Sequence, residues 1–420
     1  MGEGSVALLL GARLATRSHD TQYPFRQDSD FWYLTGFDHP QAVAVLRSDG
    51  GPPYTLFVEP RNREAETWTG YRPGPEGAKR DHGADEAFEI GEFEKQLSAI
   101  LSKARRIYHV LGRDRDLDAK LAEILDDMRL RSRQGFEPPS TIADPRNLLH
   151  EMRLRKQGDE LEIMRRAAAI TTDAHREAAR LARGGRFEYE LAAMLEYTFR
   201  RLGASGPAYT TIVGGGRNAT TLHYTANEAR LVEGELVLID AGCELDGYAS
   251  DVTRTYPVGG SMQGPARAVY EVVLAAQDAS LQVCRPGATL EEIHDAAVRS
   301  LVEGLIELGL LSGDRDQLLA DGAHRPYYMH RTSHWLGLDA HDVGNYTVGG
   351  KPRILEPGMV FTVEPGIYVA DDDERASDAF RGIGVRIEDD VVITEDGHEN
   401  LTAAIPKRPA DLEAWMRDSS

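Results

Sequence analysis

Five side chains in the second half of the chain, Asp240, Asp251, His334, Glu364 and Glu388, have the chemistry that divalent cations need. Four carboxylates balance two such ions, and an oxygen-rich set without thiolate favours harder ions, manganese before cobalt or zinc. Two ions spaced about 3.5 to 4 Å apart can hold and activate a water for attack on a carbonyl.

The first pair lies in Leu236-Val-Leu-Ile-Asp-Ala-Gly-Cys-Glu-Leu-Asp-Gly-Tyr-Ala-Ser-Asp251, where two strand patterns flank Asp246-Gly247. That dipeptide favours a tight hairpin because both residues tolerate positive φ. A turn over Glu244 to Gly247 sets Asp240 opposite Asp251. A turn of Asp246-Gly247 alone sets Asp251 opposite Gly242, diagonal to Asp240. In either register both carboxylates share one face, and Asp240 follows four apolar residues, where an unpaired charge is costly.

The second cluster, His330-Arg-Thr-Ser-His334-Trp-Leu-Gly-Leu-Asp-Ala-His341, holds three of the thirteen histidines. A spacing of four would suit a zinc pair on a helix, but Thr332, Ser333 and Gly337 do not build one. One histidine as ligand, with its neighbours acting on substrate, is the reading taken here. Glu364 and Glu388 each end an alternating run, Phe361 to Val363 and Val385 to Ile387, which places them on the sheet face opposite their apolar neighbours.

The elements that must position these groups fall in two blocks. Strand-like runs (Ala42 to Leu46, Tyr54 to Val58, Arg106 to Leu111) alternate with helical patterns (Glu92 to Ala104, Leu117 to Arg129), predicting a small α/β domain over 1–145. The stretch Phe136-Glu-Pro-Pro-Ser-Thr-Ile-Ala-Asp-Pro145 is expected to break regular structure. Beyond it, helices from Gly158 (capped by Asp159), Glu188, Pro265 and Leu290 are interleaved with strands at Tyr209 to Val213, Glu235 to Gly242, Ala249 to Val258, Met359 to Tyr368 and Gly384 to Thr394. This pattern predicts an α+β catalytic domain over 146–420.

With 420 residues and a formal charge of −20, the chain is expected to carry two domains and to avoid nucleic acid and anionic membranes, which need a positive surface. Two cysteines cannot supply a disulfide framework and suit the cytoplasm. No run approaches the ~20 apolar residues that span a bilayer.

At these clusters the chain resembles the pita-bread metallopeptidases, and among them the aminopeptidase P family. The likeness extends to Tyr23-Pro-Phe-Arg-Gln-Asp-Ser-Asp-Phe-Trp-Tyr-Leu-Thr-Gly-Phe37, His150-Glu-Met-Arg-Leu, Leu222-His-Tyr-Thr and Val363-Glu-Pro-Gly. It implies a pita-bread catalytic domain, an antiparallel sheet covered by helices, behind a creatinase-like N-terminal domain. It implies two metal ions, with Asp240 on one, His334 and Glu364 on the other, and Asp251 and Glu388 bridging. The implied reaction is hydrolysis of the bond between a peptide's first residue and a proline in second position, by a water shared between the metals, with Glu364 also moving the proton. His223, His341 and Arg386 fall on the family's catalytic positions, and His330 and Tyr368 on substrate-binding ones. Trp68 falls where a subunit reaches into a neighbour's site, implying a homodimer or homotetramer. The turn Thr347-Val-Gly-Gly-Lys-Pro-Arg353 departs from the family, with Gly350 or Lys351 where an arginine near the substrate is expected. Prolidase, which has the same metals and fold but takes only dipeptides, is the alternative reading; methionine aminopeptidase lacks the extra N-terminal domain found here, and metal-free creatinase-like or peptide-binding relatives lose ligand residues that are all present in this chain.

Overall fold

The computed structural model describes residues 1–134 and 137–417; Gly135 and Phe136, where the proline-rich stretch begins, lie outside these. The chain forms two compact units, Met1–His150 and Glu151–Ser420.

In the first unit the strand Ser5–Leu10 is apolar from Val6 onward, as a strand covered on both faces must be. It runs antiparallel to Val43–Arg47 and parallel to Arg106–Tyr108. Tyr54–Val58 and Glu86–Glu89 extend the sheet on one side and Thr141–Ala143 on the other. Alternation sends Val6, Leu8, Val43 and Val45 to one face, against residues of the helices Phe93–Leu101 and Arg115–Leu130. Leu9, Ala44 and Leu56 go to the other, against Phe31, Phe37 and Leu149. One expectation fails here. Pro138, Pro139 and Pro145 flank Thr141–Ala143 without interrupting it, so these three residues keep their N–H groups and pair with Arg106–Tyr108 as an edge strand.

The second unit is built on the helices Gly158–Leu181, Glu188–Arg201, Gly264–Leu281 and Leu290–Glu307. Gln157, not Asp159, is the N-cap of the first of them: its backbone N–H donates to Glu160 Oε2 at 2.7 Å, while Asp159 sits in the first turn. The buried faces of these helices enclose a core with Leu236, Val237, Leu238 and Ile239.

Two hairpins carry the sheet. In the first, Leu236–Asp240 pairs with Thr253–Pro257 so that Asp240 stands opposite Thr253. Farther out, Glu244 faces Ala249 and Leu245 faces Tyr248. The turn is therefore Asp246-Gly247 alone, with φ of +49° and +84°. This is the second of the two anticipated registers, with Asp251 opposite Gly242 and diagonal to Asp240. The strands approach so closely here that a Cβ on Gly242 would lie 1.7 Å from the Ser250 carbonyl oxygen. Ser250 to Val252 are not strand, so the expected run Ala249 to Val258 is split.

The second hairpin also differs from expectation. Val360–Val363 pairs with Asp389–Ile393, and Gly366–Val369 with Ile383–Arg386, as two separate ladders. Pro365, which has no N–H, ends the first ladder at Glu364. The Glu388 carbonyl is taken by the Arg254 guanidinium at 2.5 Å and its N–H by the Thr253 carbonyl at 3.0 Å. All four residues of Val360–Val363 are buried, so the glutamates do not occupy a solvent face. One register nevertheless runs through both ladders, Val363 opposite Asp389 and Gly366 opposite Arg386. Glu364 and Glu388 therefore face one another across the break.

Candidate metal centre

Four of the five side chains sit where a strand stops. Asp240 is the last residue of Leu236–Asp240, Asp251 lies in the gap before Thr253–Pro257, and Glu364 and Glu388 occupy the paired breaks of the second hairpin. His334 lies in an irregular segment pinned beside the sheet, its carbonyl accepting from Thr362 N–H at 3.0 Å and its N–H donating to Thr362 Oγ1 at 3.2 Å. The segment from His330 to His334 is not helical, so the two do not form a helical zinc pair. All five line one cavity of about 750 Å³, together with His223, His330, His341 and Arg386.

Ligand atoms of Asp251, His334 and Glu388 lie within 4.8 Å of one another. His334 Nδ1 donates to the Trp335 carbonyl at 3.0 Å, which leaves the Nε2 lone pair facing Asp251 Oδ2 at 3.5 Å and Glu364 Oε1 at 3.7 Å. Acceptor faces acceptor, an arrangement that a cation between them satisfies. Tyr209 adds to the deficit, since its hydroxyl meets Asp240 Oδ1 at 2.7 Å and Asp251 Oδ1 at 2.5 Å with one proton for two carboxylates.

The electrostatics agree with this geometry. Burial, then Asp240 and Asp390, push the Asp251 carboxyl well above its ordinary range. Burial, then Glu388, does the same to Glu364. Burial, then Asp251 and Asp240, raises Glu388. Burial also pushes the His334 imidazole down to about 4. Among the described residues one buried cation meets the cluster, Arg386, whose Nη2 donates to Asp240 Oδ2 at 2.6 Å. Four largely buried carboxylates against one buried guanidinium are costly unless further positive charge enters. The residues present therefore fit divalent ions.

A hydrogen-bond chain of fixed direction runs along the cavity wall. Arg386 Nη1 donates to the Tyr368 hydroxyl at 3.0 Å. His330 Nδ1 donates to the Arg331 carbonyl at 2.8 Å, so its Nε2 accepts from Tyr368 O–H at 2.9 Å. His341 lies edge-on to His334 with ring centroids 4.3 Å apart, and His223 is exposed at the cavity rim. Trp68 belongs to the helix Arg63–Thr69 of the first unit, with 84% of its surface exposed. Gly350 and Lys351 belong to the exposed hairpin Thr347–Val348 with Lys351–Pro352 and do not line the cavity.

Sequence reasoning missed three contributors. Tyr209 was expected inside a strand; it precedes Ile212–Gly215, and the pairing of Ile212 with Asp240 delivers its hydroxyl to the cage. Thr253 Oγ1 donates to Glu388 Oε2 at 2.6 Å and accepts from Arg386 Nε at 3.0 Å. Asp390 accepts from the N–H of Asp251 at 3.1 Å. The only available signal was register: once Asp240 pairs with Thr253 and Ile212, these neighbours follow.

Residues 162–395 match metallopeptidase family M24, and residues 1–108 match the N-terminal domain of aminopeptidase P. The chain belongs to metallopeptidase family M24, and its second unit has the pita-bread fold. It is 48% identical over 418 residues to the Xaa-Pro aminopeptidase of Escherichia coli strain K12, covering 99% of this chain and 94% of that one. The solved structure of the aminopeptidase PepP of Pseudomonas aeruginosa is similar with a TM-score of 0.96 at 47% identity, covering 99% of this chain and 94% of the other. A glutamate-to-alanine variant of Escherichia coli aminopeptidase P, solved in complex with substrate, has a TM-score of 0.95 at 47% identity, with the same coverage of both chains.

Proposed function

We propose that this chain is an Xaa-Pro aminopeptidase that removes the first residue from peptides with proline in second position, using two divalent ions, manganese in the cell. The observation that carries the reading is the His334 Nε2 lone pair set against carboxylate oxygens of Asp251 and Glu364. Asp240, Asp251, His334, Glu364 and Glu388 would hold the ions, which supply Lewis acidity and a water ionised near neutral pH.

The protein's own groups do the rest. The proton from the attacking water passes to a Glu364 carboxylate oxygen and on to the proline nitrogen, a tertiary amide that needs protonation to leave and offers no N–H to grip. His223 and His341 donate hydrogen bonds to the carbonyl oxygen as it gains charge. Arg386 fixes Asp240, while Tyr368 and His330 form the wall against which substrate packs. Residues 1–145 serve as the aminopeptidase-P-type N-terminal domain and residues 146–420 as the catalytic domain.

The exposed ring of Trp68 supports a homodimer or homotetramer, because a large apolar side chain so open to water marks a contact surface. Two buried free thiols, Cys243 and Cys284, suit the reducing cytoplasm. Among the described residues no helix is long and apolar enough to cross a membrane.

A peptide panel tests the activity. Gly-Pro-Ala is cleaved to Gly and Pro-Ala; turnover of Gly-Pro but not Gly-Pro-Ala points to a dipeptidase instead, and release of Met from Met-Ala peptides but not from Xaa-Pro ones points to methionine aminopeptidase.

A further inference from the structure

Beside the catalytic cavity lies a second one of about 630 Å³ whose walls carry Arg299, Arg325 and Arg331. None of the three has a carboxylate within 4.0 Å among the described residues. Other surface arginines, such as Arg200 and Arg201, also lack a carboxylate among the described residues, but these three share one cavity wall in a chain where 68 acidic residues outnumber 48 basic ones. Nearby, Arg153 pairs with both Asp339 and Asp342, and Arg155 with Glu356. One carboxylate, Asp295, shares the wall, so the cavity keeps an excess of positive charge.

Its two imidazoles do not add to that charge. Burial, then Arg331, pushes His294 down to about 4, and burial, then Arg325, lowers His324. His324 Nδ1 is buried without a hydrogen-bond partner among the described residues. The cavity thus offers three unpaired guanidiniums and an unsatisfied ring nitrogen.

Arg331 links this cavity to the catalytic one. It lines both, with His330, and also a third of about 500 Å³. The chain from Arg386 through Tyr368 and His330 ends on the Arg331 carbonyl and fixes the backbone there. A peptide has two charged ends. The free ammonium is repelled by a guanidinium cluster, so the substrate enters the arginine cavity with its carboxyl side.

Resting on the reading of the chain as an Xaa-Pro aminopeptidase, we propose that Arg331, backed by Arg299 and Arg325, binds a peptide carboxylate on the far side of the proline and makes charge there a specificity determinant. The carboxylate is either the peptide's own C-terminus or an acidic side chain. Guanidinium and carboxylate form charge-assisted, bidentate hydrogen bonds.

Gly-Pro-Ala, its C-terminal amide and Gly-Pro-Glu amide, assayed with metal-loaded wild type, Arg331→Gln and Arg299→Gln, test this. Wild type should favour the free acid over Gly-Pro-Ala amide by about tenfold in kcat/KM, the size of one charged hydrogen bond. Arg331→Gln should bring that ratio to about one, and Arg299→Gln, an exposed helix position, should reduce it. Preference for Gly-Pro-Glu amide over Gly-Pro-Ala amide identifies a side-chain carboxylate as a source, and its absence restricts recognition to the C-terminus. Equal turnover of acid and amide by wild type, or a ratio unchanged in Arg331→Gln, overturns the proposal. If no Xaa-Pro peptide is cleaved, the activity assignment fails separately, and calorimetric binding of the same peptides decides: tighter binding of the acid by wild type but not by Arg331→Gln supports the carboxylate site, and equal binding rejects it.

Discussion

Glu388 and Asp389 are chain neighbours, both fully buried, yet their carboxyls are driven in opposite directions. Burial, then Asp251 and Asp240, raises Glu388 well above its ordinary range. Asp389 is penalised by burial too, but Arg254 and Lys407 more than offset this and hold it far below. Its Oδ1 accepts from Arg254 Nη2 at 2.6 Å and its Oδ2 from Gln277 Nε2 at 2.6 Å and Lys407 Nζ at 3.0 Å. Strand alternation turns one side chain to each environment. One cluster is closed by the protein's own cations and reads as structure; the other is short of positive charge and is the proposed site. Burial penalises the charged form of both, and the partners set the opposite directions.

Substitutions at the two clusters should therefore fail differently. The largest effect belongs to Glu364→Ala, which removes the proposed ligand and proton carrier: kcat/KM on Gly-Pro-Ala should fall by at least about 10⁴-fold while urea unfolding of the metal-free protein shows no loss of stability, since the carboxyl is raised by burial and Glu388. A variant retaining a tenth of wild-type turnover would break the assignment.

Asp389→Asn should do the reverse, costing about 3 to 5 kcal/mol of stability by leaving Arg254 buried without its counter-charge. Its pH signature has a definite sign. A carboxyl depressed in the folded state contributes stability that is present above the unfolded value near 4 and lost only as pH falls below it. The gap between wild type and Asp389→Asn in urea melts should thus stay level from pH 5 to 8 and close in stronger acid.

Smaller effects sharpen the contrast. His223→Ala should lower kcat by roughly 10²-fold with metal content intact, as expected of an oxyanion donor at the rim; loss of metal in this variant would remove His223 from that role. Tyr209→Phe, which deletes the hydroxyl shared by Asp240 and Asp251, should weaken metal affinity by about tenfold in a competition with a chelating dye.

Much of this difference was written in residue type and spacing. The Asp246-Gly247 turn limited the first hairpin to two registers, and both set Asp240 and Asp251 on one face. The order of the five candidate ligands with their flanking motifs carried the family. What spacing could not convey was the breaking of the second hairpin. Period-two alternation around Glu364 and Glu388 reads as one continuous half-exposed strand each, whereas Pro365 and the capture of the Glu388 backbone by Arg254 and Thr253 divide them and bury both faces. Tyr209, Thr253 and Asp390 were illegible for a related reason. Each acts through a cross-strand neighbour, and a neighbour is a property of register, not of local sequence. The edge strand Thr141–Ala143 was hidden by prolines that bracket it, and the Gln157 cap by an aspartate two residues on.

The central claim is that the unbalanced cluster is completed by two divalent cations. Elemental analysis of the purified protein, titrated with manganese after chelation while Gly-Pro-Ala hydrolysis is followed, tests it directly. Activity should be absent in the chelated protein and reach its maximum at two ions per chain; full turnover with no bound metal, or saturation of both binding and activity at a single ion, would contradict it.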